Sequence, residues 1–230
     1  MTSTARTMPP GAGRAGRKAL GLRNDVYRRP LETALDRVGL SEGWRVADVG
    51  AGQGDVSVAL AEVVGRSGRV YAVDADPAAR DETARAAAQH SQVIAITQVA
   101  EELRLPEPLD LVYCRFLLLH VVEAERALSK MRDALAPGAF LIAQEPITSA
   151  GRVGGRPLSM PSARHPDIGA LLPGLVRDSG LELVEAWGYA PAWAGPGPVP
   201  DYLGSLSGVH PGEEAVVLPP LVTVIATKPS

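Results

Sequence analysis

The sequence predicts an α/β fold, a doubly wound, mostly parallel sheet with helices on both faces. Two observations carry this. Strand-like and helix-like periodicities alternate from Pro30 to Gln144, and a glycine-rich turn joins the first strand to the helix that follows it.

Leu31, Ala34, Leu35 and Val38 recur at helical spacing, and Gly39 stands where a helix stops. The apolar stretch Val46-Ala47-Asp48-Val49 then runs into Gly50-Ala51-Gly52-Gln53-Gly54, after which Val56, Ala59, Leu60 and Val63 resume helical spacing. This reads as strand, turn, helix. A second strand, Arg69 to Val73, ends at Asp74. Asp76-Pro77 then supplies an N-cap and a proline at the first helical position, opening a helix to about Gln89. Val93 to Ile96 and Leu109 to Cys114 are the third and fourth strands. Leu128, Met131 and Leu135 mark a helix ended by Pro137-Gly138, and Phe140 to Gln144 is the fifth strand.

The last third differs. Gly151 to Pro166 and Pro191 to Pro211 are rich in Gly, Pro and Ser with little periodicity, and read as loops. Between them lie a helix ending at Gly180 and a strand from Leu181 to Trp187; a final strand runs from Leu221 to Ala226. One domain over residues 25–230 accounts for the pattern. Residues 1–24 contain Arg6, Arg14, Arg17, Lys18 and Arg23 with no acidic residue, as an organellar transit peptide would. Pro9, Pro10, Gly11 and Gly13 oppose the amphipathic helix of such a peptide, so a disordered leader is expected.

A hydrophobic share of 46% with 21% charged residues suffices for a continuous core. The net charge of -3 offers no general attraction to nucleic acid, and no apolar run is long enough for a membrane-spanning helix. The single cysteine, Cys114, excludes an internal disulfide and a cysteine-based zinc cluster, and fits a reducing cytoplasm. His165 and His210 fall in loops and are expected to be solvated; no spacing suggests a metal site.

A glycine turn between strand and helix lets a ligand approach the backbone and aims the unpaired amides of the helix at it. The dinucleotide fingerprint would place its third glycine at position 55, which is Asp55, so a pyrophosphate ligand is disfavoured. Asp74, closing the second strand, is placed to accept hydrogen bonds from a ribose diol. Asp48 brings a carboxylate near the turn, where it would compensate an ammonium or sulfonium. A cationic nucleoside is implied.

Val46 to Asp55, Val73-Asp74, Asp110 to His120 and Leu135-Ala136-Pro137-Gly138 together resemble the class I S-adenosylmethionine-dependent methyltransferases, in their small-molecule branch common in bacterial secondary metabolism. The resemblance spans about Pro30 to Gln144. It implies a Rossmann-like seven-stranded sheet whose last strand is antiparallel, and S-adenosylmethionine as cofactor. It also implies that Asp48, Gly50, Ala51, Gly52, Asp74, Ala75, Ala100, Glu101 and Arg115 line the cofactor site. Methyl transfer to an oxygen, nitrogen or carbon of a small molecule is the expected activity, by in-line displacement that depends mainly on proximity and orientation. His120, just past the fourth strand, and Glu145, ending the fifth, are the candidate catalytic residues: the first to take a proton, the second to orient an acceptor. A homodimer is allowed.

Two departures bear on function. The family segment that usually begins Asp-Ala, with the Asp accepting from the adenine amino group, begins here with Val99; Gln98 or water is a substitute acceptor. The places where relatives carry helices roofing the acceptor pocket are short Gly/Pro-rich loops here, so the substrate cap is expected to be trimmed. A methyltransferase-fold cyclase or decarboxylase, and a non-catalytic binding protein, therefore stand as alternatives. The fourth strand ends Cys114-Arg115-Phe116 and lacks the Asn/Asp-Pro-Pro-aromatic motif of many amino-directed enzymes, which disfavours exocyclic amines as acceptors.

Overall fold

The computed structural model describes residues 21–158, 163–207 and 210–230. Helix α1 (residues 21–26) is followed by α2 (Arg28–Val38), β1 (Arg45–Val49), α3 (Asp55–Val64), β2 (Arg69–Asp74), α4 (Pro77–Ala86) and β3 (Val93–Thr97). Then come β4 (Leu109–Arg115), α5 (Ala124–Ala134), β5 (Leu135–Pro146), the short strands β6 (Arg152–Val153) and β7 (Arg156–Pro157), α6 (Ile168–Asp178) and β8 (Glu182–Tyr189). The chain closes with β9 (Ala192–Trp193), α7 (Pro198–Ser207), β10 (Val216–Val217) and β11 (Leu221–Thr227).

The main sheet has the order β3-β2-β1-β4-β5-β11-β8. Pairs from β3 through β5 are parallel, whereas β11 runs antiparallel to both β5 and β8. The expected seven strands with an antiparallel last strand are thus present. Alternation along the strands separates two cores, as the two-residue period of a strand requires. Ala47, Val49, Val112 and Cys114 face α5 and α6 through Leu128, Met131 and Leu172. Val46, Leu111 and Tyr113 face α2 and α3 through Leu31, Ala34, Leu60 and Val64. Strand order reverses direction between β1 and β4, which places the topological switch point at the carboxyl ends of those two strands.

Three expectations need correction. Leu135 belongs to β5, not to the preceding helix: the chain turns extended at that residue, which caps α5, and Gly138 absorbs a left-handed φ of 76° within a register shift. Most of the expected leader lies outside the described residues, but residues 21–24 are helical, and Val26 and Tyr27 are buried. The boundary therefore falls earlier, because the apolar anchors that hold α1 lie just beyond it.

The third correction concerns the Gly/Pro-rich loops. They supply β6, β7 and β9 of a second sheet, β7-β6-β10-β9, together with α7. Val153, Leu158, Val199, Leu203, Val216 and Leu218 make a third core that also takes in Val26 and Tyr27. Two-residue strands show no periodicity, and Pro198 and Pro200 in the first turn of α7 read as loop although proline suits that position. The segment is short but folded. Among the described residues, no helix is long and apolar enough to cross a membrane.

Candidate functional site at the ends of β1 and β4

The glycine turn needs its glycines for different reasons. Gly50, Gly52 and Gly54 have φ of 83°, 58° and 88°, all left-handed. A Cβ on Gly50 would lie 3.0 Å from Leu117 Cδ1, and one on Gly54 would lie 2.9 Å from Thr83 Cα; at Gly52 nothing stands within 4 Å. The turn is fastened to β2 and α4: the Gly50 and Ala51 amides donate to the Val73 carbonyl at 2.8 and 3.0 Å, and Thr83 Oγ1 donates to the Gly52 carbonyl at 3.0 Å.

Asp74 is built into the same turn. Its Oδ2 accepts from the Gly52 amide and its Oδ1 from the Asp76 amide, each at 2.9 Å. Those bonds fix the carboxylate while leaving lone pairs for a ligand's hydroxyls. Ala75 beside it is exposed.

A cavity of about 20 Å³ lies at the switch point, lined by Arg23, Asn24, Asp48, Ala51, Tyr113 and Arg115 among others. Asp48 is buried and accepts from Ser57 Oγ at 2.6 Å; burial pushes its carboxyl up to about 6, against that hydrogen bond. Arg115 is buried at 6% exposure and donates to the Tyr27 carbonyl at 3.2 Å and to Asn24 Oδ1 at 2.6 Å. Asn24 in turn donates to Asp55 at 2.7 Å, so α1 is latched across the mouth of the turn.

Arg23 and Asn24 are the residues that reading the sequence missed, because they stand in the presumed leader with no periodicity around them. The Arg23 guanidinium lies over the Phe116 ring at 5.0 Å, its buried Nε has no hydrogen-bond partner, and burial lowers its affinity for its proton. A desolvated cation with an orphaned donor attracts an anionic group.

The turn after β4, residues 116–120, forms the neighbouring wall. Phe116 is the only non-glycine residue with positive φ, 53°, among the described residues. Glu145 is fully buried and accepts from the amides of Leu117, Leu118 and Leu119 at 2.8, 2.7 and 3.4 Å. This corrects the expectation that it faces the crevice to orient an acceptor: its oxygens are committed to backbone amides. Burial pushes its carboxyl up to about 7, with those amides opposing. His120 is exposed on the surface of the turn, and burial of part of its ring, with Arg23 nearby, lowers its proton affinity from the ordinary value.

Other expected residues are divided. Ala100 is buried in the 3-10 turn Ala100–Glu102. Glu101 accepts from the Val122 amide at 2.9 Å, near the start of α5, and is occupied there. Val99 is 41% exposed and offers no acceptor. Gln98 Oε1, the expected substitute acceptor, accepts from the Arg104 amide at 2.8 Å, which takes one of its two lone pairs. His165 is half-buried, not solvated, with Nε2 lacking a partner, while His210 is exposed. Among the described residues, no group of three His, Cys, Asp or Glu is placed to hold a metal.

The fold is one shared with S-adenosylmethionine-dependent methyltransferases of known structure. More particularly, residues 46–138 match the model of the methyltransferase domain family, which covers β1 through the start of β5. The ubiquinone/menaquinone biosynthesis C-methyltransferase UbiE of Vibrio vulnificus is 31% identical over 125 residues, 52% of this chain and 48% of that protein. The chain thus aligns with about half the length of that relative. An S-adenosylmethionine-dependent methyltransferase of Aquifex aeolicus shares the fold with a TM-score of 0.57 at 17% identity, over 83% of this chain and 88% of that one. The [4+2]-cyclase SpnF shares it with a TM-score of 0.66 at 18% identity, over 87% and 81%.

Proposed function

We propose that the chain transfers the methyl group of S-adenosylmethionine to a small-molecule acceptor by in-line displacement. The observation that carries this reading is the meeting of two features at the switch point: a left-handed glycine turn whose Gly52 amide fixes Asp74, and a cavity bounded by Asp48, Arg115 and Arg23. Asp74 would hold the ribose diol, and Asp48 would face the ammonium. The orphaned Arg23 Nε, with Arg115, would meet the carboxylate of the methionine part. These donors and acceptors fit the cofactor's charges. The cavity of about 20 Å³ is far below the roughly 300 Å³ of a ligand pocket and would take only part of the cofactor, with Arg23 and Asn24 of α1 on its wall.

The bound cofactor supplies an electrophilic methyl on a sulfonium. The protein's task is then to align the nucleophile, exclude water and accept a proton where the acceptor releases one. His120, held neutral near pH 7 by its lowered proton affinity, suits the last role. The relationship to a C-methyltransferase makes a carbon nucleophile the first acceptor atom to try. We infer a bacterial small-molecule acceptor of secondary metabolism and action in the cytoplasm, free of nucleic acid.

Calorimetric titration with S-adenosylmethionine and S-adenosylhomocysteine tests the cofactor site. Micromolar binding that Asp74→Ala weakens at least about tenfold is expected, the loss of more than one hydrogen bond to hydroxyls. No binding to either ligand would overturn the reading. Labelled methyl transfer to a metabolite extract tests the reaction. One observation favours a second reading, in which the cofactor serves without giving up its methyl: Val99 presents an exposed apolar side chain where an adenine acceptor is expected. Turnover sustained by S-adenosylhomocysteine would select it.

A further inference from the structure

We propose that Glu145 is a positioning residue that clamps the turn after β4 against the glycine turn, and thereby sets the wall of the cofactor site and the place of His120. The inference rests on the proposed function and deepens it.

A carboxylate at zero exposure is costly unless its lone pairs are used, and here the backbone uses them. Three successive amides, of Leu117, Leu118 and Leu119, converge on its two oxygens. Such convergence is what allows the chain to leave β4 through Phe116 at a φ of 53°, a conformation a bulky residue holds only when its surroundings impose it. The strained residue is then fixed from outside, since its ring packs edge-on against Tyr27 at a centroid distance of 5.2 Å and beneath the Arg23 guanidinium. Beyond it, Leu117 fills the space a Cβ on Gly50 would need, so the clamped turn touches the glycine turn directly. The His120 amide donates to the Leu117 carbonyl at 2.9 Å, which sets the imidazole on the same framework. One buried carboxylate on β5 therefore orders a wall that reaches both β1 and α1.

The charged and titratable groups that bear on Glu145 are Arg23 of α1 and Cys114 of β4. On its other sides β11 presents Val222 in register, and α6 brings Gly169 so close that a Cβ there would lie 2.4 Å from the Glu145 carbonyl oxygen. The ionised form accepts all three amides, while protonation turns one carboxyl oxygen into a donor facing those same amides. Titration thus changes the clamp itself.

The test is calorimetric binding of S-adenosylhomocysteine to the full chain from about pH 5.5 to 8.5, for wild type and Glu145→Gln, with melting temperatures alongside. Glu145→Gln keeps shape but turns an amide NH₂ toward backbone donors. Affinity roughly tenfold lower is expected, the size of one weakened charge-assisted bond. Wild-type affinity is expected to rise with pH around 7, where Glu145 ionises, and the variant's profile to be flat there. Asp48, which titrates near 6, remains in both proteins and cancels in the comparison. Equal affinity and the same pH profile in both proteins would overturn the clamp alone; no binding by wild type would overturn the cofactor reading and this inference with it. If Glu145→Gln does not fold, hydrogen exchange of the Leu117 and Leu118 amides in wild type decides. Protection that rises with affinity across the same pH range supports the clamp, and protection that moves independently of affinity overturns it.

Discussion

The glycine turn after β1 and the turn after β4 stand side by side at the same edge of the sheet, and both bend the chain sharply through left-handed residues. The first does so with three glycines, which reach positive φ at little steric cost and leave amides near the surface. The second uses Phe116 and imposes the same region of backbone space through a buried carboxylate on β5, 27 residues beyond the Leu118 amide it accepts from. One conformational demand can thus be met locally, by residue type, or remotely, by hydrogen bonds. Only the first kind leaves a motif.

Substitutions separate the two solutions. Gly54→Ala carries the largest expected effect, about 3 to 5 kcal/mol of stability, because left-handed strain adds to a clash with the α4 backbone at Thr83. Chemical denaturation measures it, and a loss under about 1 kcal/mol would show that α4 yields easily. Glu145→Ala comes next at about 3 kcal/mol, since it orphans buried amides; an unchanged denaturation midpoint would mean that water takes over the carboxylate's role. Gly50→Ala is expected to cost about 2 kcal/mol, less than Gly54→Ala because its clash is with the flexible end of Leu117. Gly52→Ala, with open space around it, should cost only about 1 kcal/mol of backbone strain. Equal costs at all three glycines would show that conformation alone decides and packing does not.

A pH series sharpens the contrast from the other side. Asp48 and Glu145 bind their protons more tightly folded than their usual values of 3.8 and 4.5, at about 6 and about 7. Their contribution to stability is therefore fully present at low pH and is lost as pH rises through those folded values. Thermal melting is expected to fall between about pH 4 and 7 on this account, with Glu145→Gln removing the upper part of the fall toward 7. Ionisation of Glu145 thus costs global stability while ordering the turn it clamps. A melting temperature independent of pH in wild type would contradict both burials.

Much of the fold was legible in the sequence. The seven strands of the main sheet were readable because apolar alternation or an apolar run bounded by turn residues marks each one, and Gly39, Asp76-Pro77 and Gly180 punctuate the helices where they do in the structure. The small sheet and α7 were not, since two-residue strands and a helix opened by prolines leave no period to detect. On the site, Gly50, Gly52 and Asp74 were readable from spacing, whereas Arg115 entered only through the family resemblance. Arg23 and Asn24 gave no signal, and Glu145 gave a misleading one: a carboxylate ending a central strand suggests a crevice-facing group until its partners are known.

By itself, then, the sequence determined the alternating α/β order, the glycine turn and the acidic residue closing β2, because these depend on periodicities and conformational preferences that act within a few residues. The tertiary structure alone decided that α1 lies across the cavity, that the Gly/Pro-rich tail closes as a third core, and that Glu145 serves the backbone. Each of those depends on contacts between segments far apart in the chain, whose free energy of burial and hydrogen bonding exists only once the sheet has brought them together.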